Sequence, residues 1–294
     1  MNVDPVRRQV RTWSLAGRVP RRLWVRLPIA EPVFTVSLPG GQRIHYGAVT
    51  GDFISHALYW RGLDGWESAT IYTFLALARG ARHFLDIGAN TGPYTLLACA
   101  QNERLQALAY EPVPRVFNQL VRNIELNDFG PRCRARQAAV AGDVGVTQLH
   151  VPDTAMPSSA SLQRTGFRNI RGRLIDVAVT TVDHDTGPES VDIHMPVDLV
   201  KIDVEGFEDQ VLAGMTRTLQ ADRPIIICEC NPDGPIAAIN DRLRAAGYHF
   251  WHVRAPRPER MPTIRPDPTE RFRNYACVPA EAGETAAILA DLRL

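Results

Sequence analysis

An otherwise apolar segment, LVKIDVEG, carries three charged residues at alternate positions: Lys201, Asp203 and Glu205. Residues two apart in a β-strand point to the same face of the sheet, so these side chains would project together. Burying them without partners would cost several kcal/mol, so they must be paired, bound to a metal or open to a cleft. We predict that they belong to an active site, with a structural ion-pair network as the alternative.

Two more polar groups follow the apolar segment IIICEC, which predicts a neighbouring strand. Glu229 lies near the end of this segment and Asn231 directly after it, so together they could orient a substrate hydroxyl group. Residues 152–172, rich in serine, proline and glycine, interrupt the regular pattern and indicate a substrate or cofactor loop, with a plain connector as the alternative. The candidate substrate-binding residues are Asn231, Ser159 and Ser161.

A second cluster with potential chemistry lies in HFLDIGANTG, residues 83–92. Its apolar residues predict a strand buried on both faces, and the glycines that follow allow the main chain to approach a ligand closely. The next segment, PYTLLACA, predicts a helix whose free N–H groups face the same position, with Pro93 tolerated in its first turn. Glu111 ends the next predicted strand, where a carboxylate would bind the two hydroxyl groups of a ribose.

The spacing of this turn separates two classes of ligand. A dinucleotide site needs Gly-x-Gly-x-x-Gly, whereas this turn reads Gly-x-Asn-x-Gly, because Asn90 replaces the second glycine and Gly92 comes one residue early. The close approach of a pyrophosphate is therefore not expected, and a nucleoside without a long phosphate tail fits better. A tight turn that binds nothing remains the alternative.

Four segments, in order along the chain, resemble the successive blocks of the FkbM family of S-adenosylmethionine-dependent methyltransferases. They are FLDIGANTGPYTLL, LAYEPVPRVFNQLVRNIELND, DLVKIDVEGFEDQVLAGM and RPIIICECN, spread over residues 84–231, and VTTVD at 179–183 adds a weaker match. The resemblance implies a class I methyltransferase fold, S-adenosyl-L-methionine as the cofactor, and methyl transfer, commonly to a hydroxyl of a sugar or secondary metabolite. It does not identify the substrate.

The turn and the resemblance together define the expected cofactor site. Asp86 and Asn90 would hold the polar end of the cofactor, while Ala139 and its neighbours would frame the adenine. The family commonly has an aromatic–acidic pair at the place of Trp66–Glu67, so this segment is expected to close over the cofactor, with a favourable helix-start carboxylate as the alternative. The expected cofactor-binding residues are Glu67, Asp86, Gly88, Ala89, Asn90, Gly92, Tyr94, Thr95, Glu111, Pro112, Ala139 and Asp203.

Methyl transfer to oxygen is an in-line displacement, so the protein must align two reactants and help to remove the proton of the acceptor. The expected catalytic residues are Lys201, Asp203, Glu205 and Glu229, and which one is the general base stays open. We expect no metal ion, because the sequence offers no convincing ligand set. The run from Asp183 to Asp185 is expected to begin a helix or loop rather than bind a cation.

Composition narrows the possible partners. The chain has 294 residues, a net charge of +1 and a pI near 7.7, so no global field would recruit nucleic acid or a membrane surface. Five cysteines without repeated spacing indicate reduced thiols, and we expect a cytoplasmic protein with a small hydroxylated acceptor and, as an open possibility, a homodimer. Residues 5–30 contain seven arginines and no acidic residue, which indicates a solvated or partner-facing arm, with membrane or phosphate binding as the alternative.

From residue 83 onward, predicted strands alternate with predicted helices. This pattern indicates an α/β fold with a mostly parallel, Rossmann-like sheet of seven strands and helices on both faces. Residues 1–65 are expected to form an N-terminal arm with a short β-rich and helical addition, and residues 66–294 the methyltransferase domain. The predicted strands are 83–88, 106–111, 134–140, 176–182, 197–203, 223–230, 248–253 and 273–279, and the predicted helices of this part are 93–101, 114–127, 207–220 and 235–246.

Two other functions remain open at this stage. One is a nicotinamide-dependent oxidoreductase with a related sheet, although the glycine spacing of the turn differs from that of a dinucleotide site. The other is a non-catalytic nucleoside-binding module, which would leave the charged strand end without a purpose.

Overall fold

The computed structural model describes residues 5–154, 171–188 and 196–294. Ser159 and Ser161 lie outside the described residues. The strands of the described part are β1 Val33–Ser37, β2 Arg43–Gly47, β3 His83–Ile87, β4 Gln106–Tyr110, β5 Cys133–Arg136, β6 Ala139–Val140, β7 Gly145–Pro152, β8 Gly172–Thr180, β9 Leu199–Ile202, β10 Ile225–Glu229, β11 Tyr248–His252, β12 Glu259–Met261 and β13 Asn274–Pro279.

The helices of the described part surround these strands. They are α1 Pro5–Leu15, α2 Arg21–Trp24, α3 Phe53–Arg61, α4 Ser68–Ala78, α5 Pro93–Gln101, α6 Pro114–Glu125, α7 Val182–Thr186, α8 Glu208–Ala213, α9 Thr216–Ala221, α10 Ile236–Ala245 and α11 Gly283–Asp291, with a 3₁₀ turn at Gly62–Asp64. Among the described residues, none of these helices is long and apolar enough to cross a membrane.

A central sheet organises the molecule. Its strand order is β12-β11-β13-β10-β9-β3-β4-β5, in which β5, β4, β3, β9 and β10 are parallel and β13 runs antiparallel to both of its neighbours. Every residue of β3 and of β9 is buried, as expected for strands covered by helices on both faces. The predicted α/β class is therefore confirmed, and the carboxyl ends of the parallel strands meet at one edge of the sheet.

Three details of the sheets differ from the sequence prediction. The strand predicted at 134–140 is divided between β5, in the central sheet, and β6, in a separate sheet. The central sheet has an additional short edge strand, β12, and the strand predicted at 176–182 belongs to a separate sheet in which β8 pairs with β6 and β7. In β8, exposed and buried residues alternate towards its end, and the alternation is typical of a sheet with one solvated face. The predicted helix 207–220 is broken into α8 and α9 at Gly214, where a Cβ would collide with the carbonyl oxygen of Ala141.

The N-terminal segment packs on the central fold. The predicted β-rich addition is the hairpin of β1 and β2, and its buried residues share one hydrophobic cluster with residues of the central sheet. Several hydrogen bonds join the parts: the Tyr46 hydroxyl lies 2.6 Å from Thr91 Oγ1, the Gly47 N–H donates to Asn123 Oδ1 at 2.9 Å, and the His45 N–H donates to Asn127 Oδ1 at 2.7 Å. The division of the chain near residue 65 stays a prediction.

Candidate active site

A cleft opens at the carboxyl ends of β3, β4, β9 and β10. The side chains that line it come from both the N-terminal segment and the central fold. The lining residues that carry charge are Asp52, Glu67, Asp86, Glu111, Lys201, Asp203, Glu205, Glu229 and Arg273. Carboxyl groups therefore outnumber basic groups in the cleft by seven to two.

The turn after β3 is closed by its own hydrogen bonds. Gly88, Asn90 and Gly92 have φ angles of +81°, +53° and +91°, the left-handed conformation that glycine and asparagine tolerate best. Each N–H group from residue 88 to residue 92 has a partner within the protein. Gly88 and Ala89 donate to Tyr110 O, Asn90 to Glu111 Oε2, Thr91 to Asn90 Oδ1, and Gly92 to Ala89 O.

A side chain of the protein also binds the first turn of helix α5. Asp86 Oδ2 accepts a hydrogen bond of 2.6 Å from Thr95 Oγ1, and the same carboxylate accepts one from the Thr95 N–H. Burial raises the pKa of Asp86 to about 6, although the bonds from Thr95 oppose the shift. Asp86 therefore fixes the helix start, and no N–H of residues 88–92 is left to bind a pyrophosphate.

Glu111 is held with its carboxylate at the cleft. Its two oxygens accept hydrogen bonds from the N–H groups of Val113 at 2.8 Å and Asn90 at 3.1 Å. Burial nevertheless raises its pKa to about 7. Each oxygen retains a lone pair, so the carboxylate can accept two hydroxyl hydrogen bonds, as from a ribose.

Lys201 lies at the centre of an ionic network on the other side of the cleft. Its Nζ lies 3.2 Å from Asp203 Oδ2 and 5.2 Å from the centre of the Tyr94 ring. Burial alone would lower the pKa of Lys201, but attraction to Asp203, Glu67 and Glu229 raises it above its ordinary value. Lys201 is therefore a fixed ammonium ion and not a base.

Asp203 is the ionised member of this network. Burial would raise the pKa of Asp203, but Lys201 and a hydrogen bond with Glu229 hold it below its ordinary value. The pKa of Glu229 is raised well above the ordinary value by burial and by the charge of Asp203, so Glu229 is the partner that retains the shared proton.

Asn231 holds the Glu229 carboxyl group in place through a hydrogen bond. Its Nδ2 donates to Glu229 Oε2 at 2.9 Å, and its Oδ1 accepts from Arg273 Nη1 at 3.2 Å. The substrate-binding role predicted for Asn231 is not shown by this arrangement, because Asn231 does not line the cleft whereas Arg273 does.

The Trp66–Glu67 segment forms one wall of the cleft. Glu67 has a φ of +41° and accepts a 2.7 Å hydrogen bond from the Tyr94 hydroxyl, and the rings of Trp66 and Tyr94 lie 5.5 Å apart. Burial raises the pKa of Glu67. Trp66 and Glu67 therefore line the cleft, while their closure over a cofactor stays a prediction.

Glu205 lines the cleft just beyond β9, in a left-handed conformation with a φ of +54°. Burial and the nearby charges of Asp203 and Glu208 raise its pKa to about 8. A carboxyl group with this pKa can take up a proton near neutral pH, as a general base requires.

Three of these carboxylates could also hold a metal ion. Among the described residues, oxygen atoms of Glu67, Asp203 and Glu229 lie within 4.8 Å of one another. The ammonium group of Lys201 already supplies a positive charge to all three. The expectation that no metal is required stays a prediction.

The structure brings most of the predicted site residues to one cleft. Gly92 and Thr95 do not line it, because Gly92 packs against Leu120 and Thr95 is bound to Asp86. The sequence analysis did not single out Asp52, Phe53, Tyr110 or Arg273, which do line it. Asp52 is the N-cap of α3 and accepts hydrogen bonds from the N–H groups of Ile54 and Ser55. Aspartate is a common N-cap residue, so this role can be predicted from the sequence. No local pattern indicates that α3 borders the cleft.

The run at residues 183–185 has a structural role, in agreement with its prediction as a helix start. It lies in α7, where Thr181 is the N-cap. The Asp183 carboxylate accepts from the N–H groups of Arg217 and Thr218 and so caps helix α9.

Comparison with known proteins agrees with this geometry. The family model described as the Methyltransferase FkbM domain matches residues 86–250, which is more than half of the chain. The chain belongs to the FkbM methyltransferase family. The predicted resemblance is thereby confirmed, and the central sheet, with its antiparallel β13, has the class I arrangement that this family implies.

Individual relatives of this FkbM-family protein are distant. It is 25% identical over 200 residues to Methyltransferase sdnD of Sordaria araneosa, which covers 58% of this chain and 75% of that protein. It is 28% identical over 142 residues to the Hexuronic acid methyltransferase AglP of Haloferax volcanii, which covers 48% of this chain and 53% of that protein. The crystal structure of Methyltransferase FkbM from Methylobacillus flagellatus matches 78% of this chain and 56% of its own, with 14% identity and a TM-score of 0.45. The latter two matches therefore span about half the length of those proteins.

Proposed function

We propose that this FkbM-family protein is an S-adenosylmethionine-dependent O-methyltransferase that acts on a hydroxyl group of a small molecule, such as a sugar or a secondary metabolite. The observation that carries the proposal is one cleft with two unlike halves. The donor half consists of Asp86–Asn90 and Glu111–Pro112, and the acceptor half consists of Glu67, Lys201, Asp203, Glu205, Glu229 and Arg273.

The residues of the donor half fit S-adenosylmethionine better than a nicotinamide dinucleotide. Glu111 offers two acceptor oxygens for a ribose, and Ala139 and Leu149 offer an apolar surface for a purine. The N–H groups of residues 88–92 are all engaged, so a pyrophosphate would find none of them free. A sulfonium ion is positively charged, in keeping with the excess of carboxyl groups in the cleft. The oxidoreductase alternative is not favoured.

S-adenosylmethionine, when bound, would supply an electrophilic methyl group. The acceptor half would then hold a hydroxyl group and remove its proton. We assign the general base to Glu205, because it lines the acceptor half of the cleft and burial raises its pKa to about 8. Asp203, fixed by Lys201, and Glu229, fixed by Asn231, would orient the acceptor.

A ligand screen by thermal shift tests the donor assignment. S-adenosylhomocysteine should raise the melting temperature, whereas NAD and NADP should not, because a ligand at 100 times its dissociation constant stabilises a protein by about 2.7 kcal/mol. Stabilisation by NAD alone would overturn the proposal. Methyl transfer is then measured on a panel of glycosides and hydroxylated metabolites, including uronic acids, since a relative is described as a hexuronic acid methyltransferase.

A further inference from the structure

The positive charge of this protein is concentrated at its N-terminal end. Residues 5–30 contain seven arginines and no acidic residue. Because the whole chain carries +1 and this segment carries +7, the remainder carries −6. The near-neutral net charge therefore results from a positive N-terminal segment and a negative remainder. The electric field of such a charge distribution orients a protein on an oppositely charged surface.

The same segment exposes apolar side chains. Trp13, Leu15, Leu23 and Val25 have exposed fractions of 46%, 44%, 52% and 39%. Together with Val6, they account for five of the ten large hydrophobic residues that are exposed in the described part of the chain, although the segment is less than a tenth of the sequence. Such clustering marks an interaction surface more often than chance exposure does.

These side chains are held outward by an anchored backbone. Trp24 is buried and stacks on His56 at 5.7 Å, and the His56 and Trp60 rings both bond to Leu27 O. Leu23 and Val25 flank the buried Trp24 on either side. Their exposure therefore follows from the fold of the segment.

The surface adjoins the active-site cleft. A groove lined by Val25, Arg26 and Leu27 continues to Asp52 and Phe53. These last two residues also line the cleft, and Phe53 is 46% exposed at its mouth. A partner bound to the N-terminal surface would therefore lie beside the opening through which an acceptor must enter.

We propose that the surface formed by residues 7–26, with Phe53, binds the surface of an anionic lipid bilayer. Arginine side chains next to exposed tryptophan and leucine fit a bilayer, because the guanidinium groups pair with anionic headgroups while the apolar side chains enter the boundary with the acyl chains. The cleft mouth would then lie close to the membrane, because the groove from Val25 to Leu27 continues to Asp52 and Phe53 at the cleft. This inference goes beyond the proposed reaction and does not depend on it.

Vesicle co-sedimentation of the full chain tests the proposal without measuring activity. The protein should sediment with vesicles of phosphatidylcholine and phosphatidylglycerol, should not sediment with phosphatidylcholine alone, and should be released by salt. The variant R18Q/R21Q/R22Q should bind more weakly by about fivefold per arginine, on the order of a hundredfold in all. The matched control R79Q/R82Q/R104Q removes three exposed arginines from elsewhere and should bind like the wild type.

A fluorescence measurement tests the orientation. Trp13 is exposed, Trp66 is partly buried in the cleft wall, and Trp24, Trp60 and Trp251 are buried, so brominated acyl chains should quench part of the emission of the wild type. Trp13→Phe should bind the vesicles but lose most of this quenching. Absence of anionic-vesicle binding, equal losses in both triple variants, or equally tight binding to duplex DNA would overturn the proposal. So would a dimer in sedimentation velocity that Leu23→Ser converts to a monomer, because a second copy would then cover the surface.

Discussion

The donor half and the acceptor half of the cleft are built in different ways. The donor half comes from one strand–turn–helix unit and the end of the next strand, and its contacts are mostly hydrogen bonds to backbone N–H groups. The acceptor half gathers Glu67, Asp203 and Glu229, which are far apart in sequence, around the ammonium group of Lys201. Short local contacts fix the first half, whereas long-range charge interactions fix the second.

This difference has an energetic consequence. A backbone-held turn keeps its geometry when one side chain is changed, because the other hydrogen bonds persist. In an ionic network, removal of one charge leaves the remaining buried charges uncompensated. We therefore expect substitutions in the acceptor half to affect turnover and stability, and substitutions in the donor half to affect ligand affinity.

The largest effect is expected from Glu205→Gln. If Glu205 takes the proton of the acceptor, the variant should lose about 10²- to 10⁴-fold in kcat while its affinity for S-adenosylhomocysteine is unchanged. The base acts in its deprotonated form, so the kcat/KM of the wild type should rise with pH through about 8, where burial places the pKa of Glu205. The variant should lack this rise, and a variant that keeps both kcat and the pH profile would exclude Glu205 as the base.

The next effect is expected from Lys201→Met, which removes the only lysine and leaves Asp203, Glu67 and Glu229 without it. Urea unfolding near pH 8 should show a loss of about 3–5 kcal/mol in the free energy of unfolding. The deficit should shrink as the pH falls, because protonation neutralises the stranded carboxylates.

The exposed residue Arg82 provides the control for this change. Arg82→Met should alter the free energy of unfolding by at most about 0.5 kcal/mol. A Lys201→Met protein that is as stable as the Arg82→Met protein would show that the acceptor half is not an ionic network.

A smaller effect is expected from Glu111→Ala in the donor half. The variant should bind S-adenosylhomocysteine about 10- to 100-fold more weakly by calorimetry, because it loses two hydrogen bonds to the ribose that contribute roughly 0.5–1.5 kcal/mol each. Glu229→Gln in the acceptor half is the matched control and should retain the affinity. Equal affinities of the two variants for S-adenosylhomocysteine would contradict the proposal that only the donor half binds the cofactor.

The smallest effect is expected from chelation. Turnover should survive EDTA, since Lys201 already provides positive charge between Glu67, Asp203 and Glu229. A loss of turnover that magnesium restores would contradict this expectation and would identify these three carboxylates as metal ligands.

Local sequence patterns were enough to predict the turn after β3 and the order of the main elements. The glycine turn, helix α5 with its observed bounds Pro93–Gln101, and the position of Glu111 are all local features, set by backbone conformation and hydrophobic pattern within about 30 residues. The alternation of Lys201, Asp203 and Glu205 likewise predicted that the three side chains lie together, and all three line the cleft.

The residues that share the cleft from distant parts of the chain, and the charge that each one carries, depend on the packing of the whole fold. Arg273 and Asp52 reach it through β13 and α3, which no motif connects to the site. The ammonium state of Lys201, the ionised state of Asp203 and the raised pKa of Glu205 arise from burial and from neighbours on other elements. Electrostatic free energy depends on distances through space, so the sequence pattern could name these groups but could not assign their protonation states.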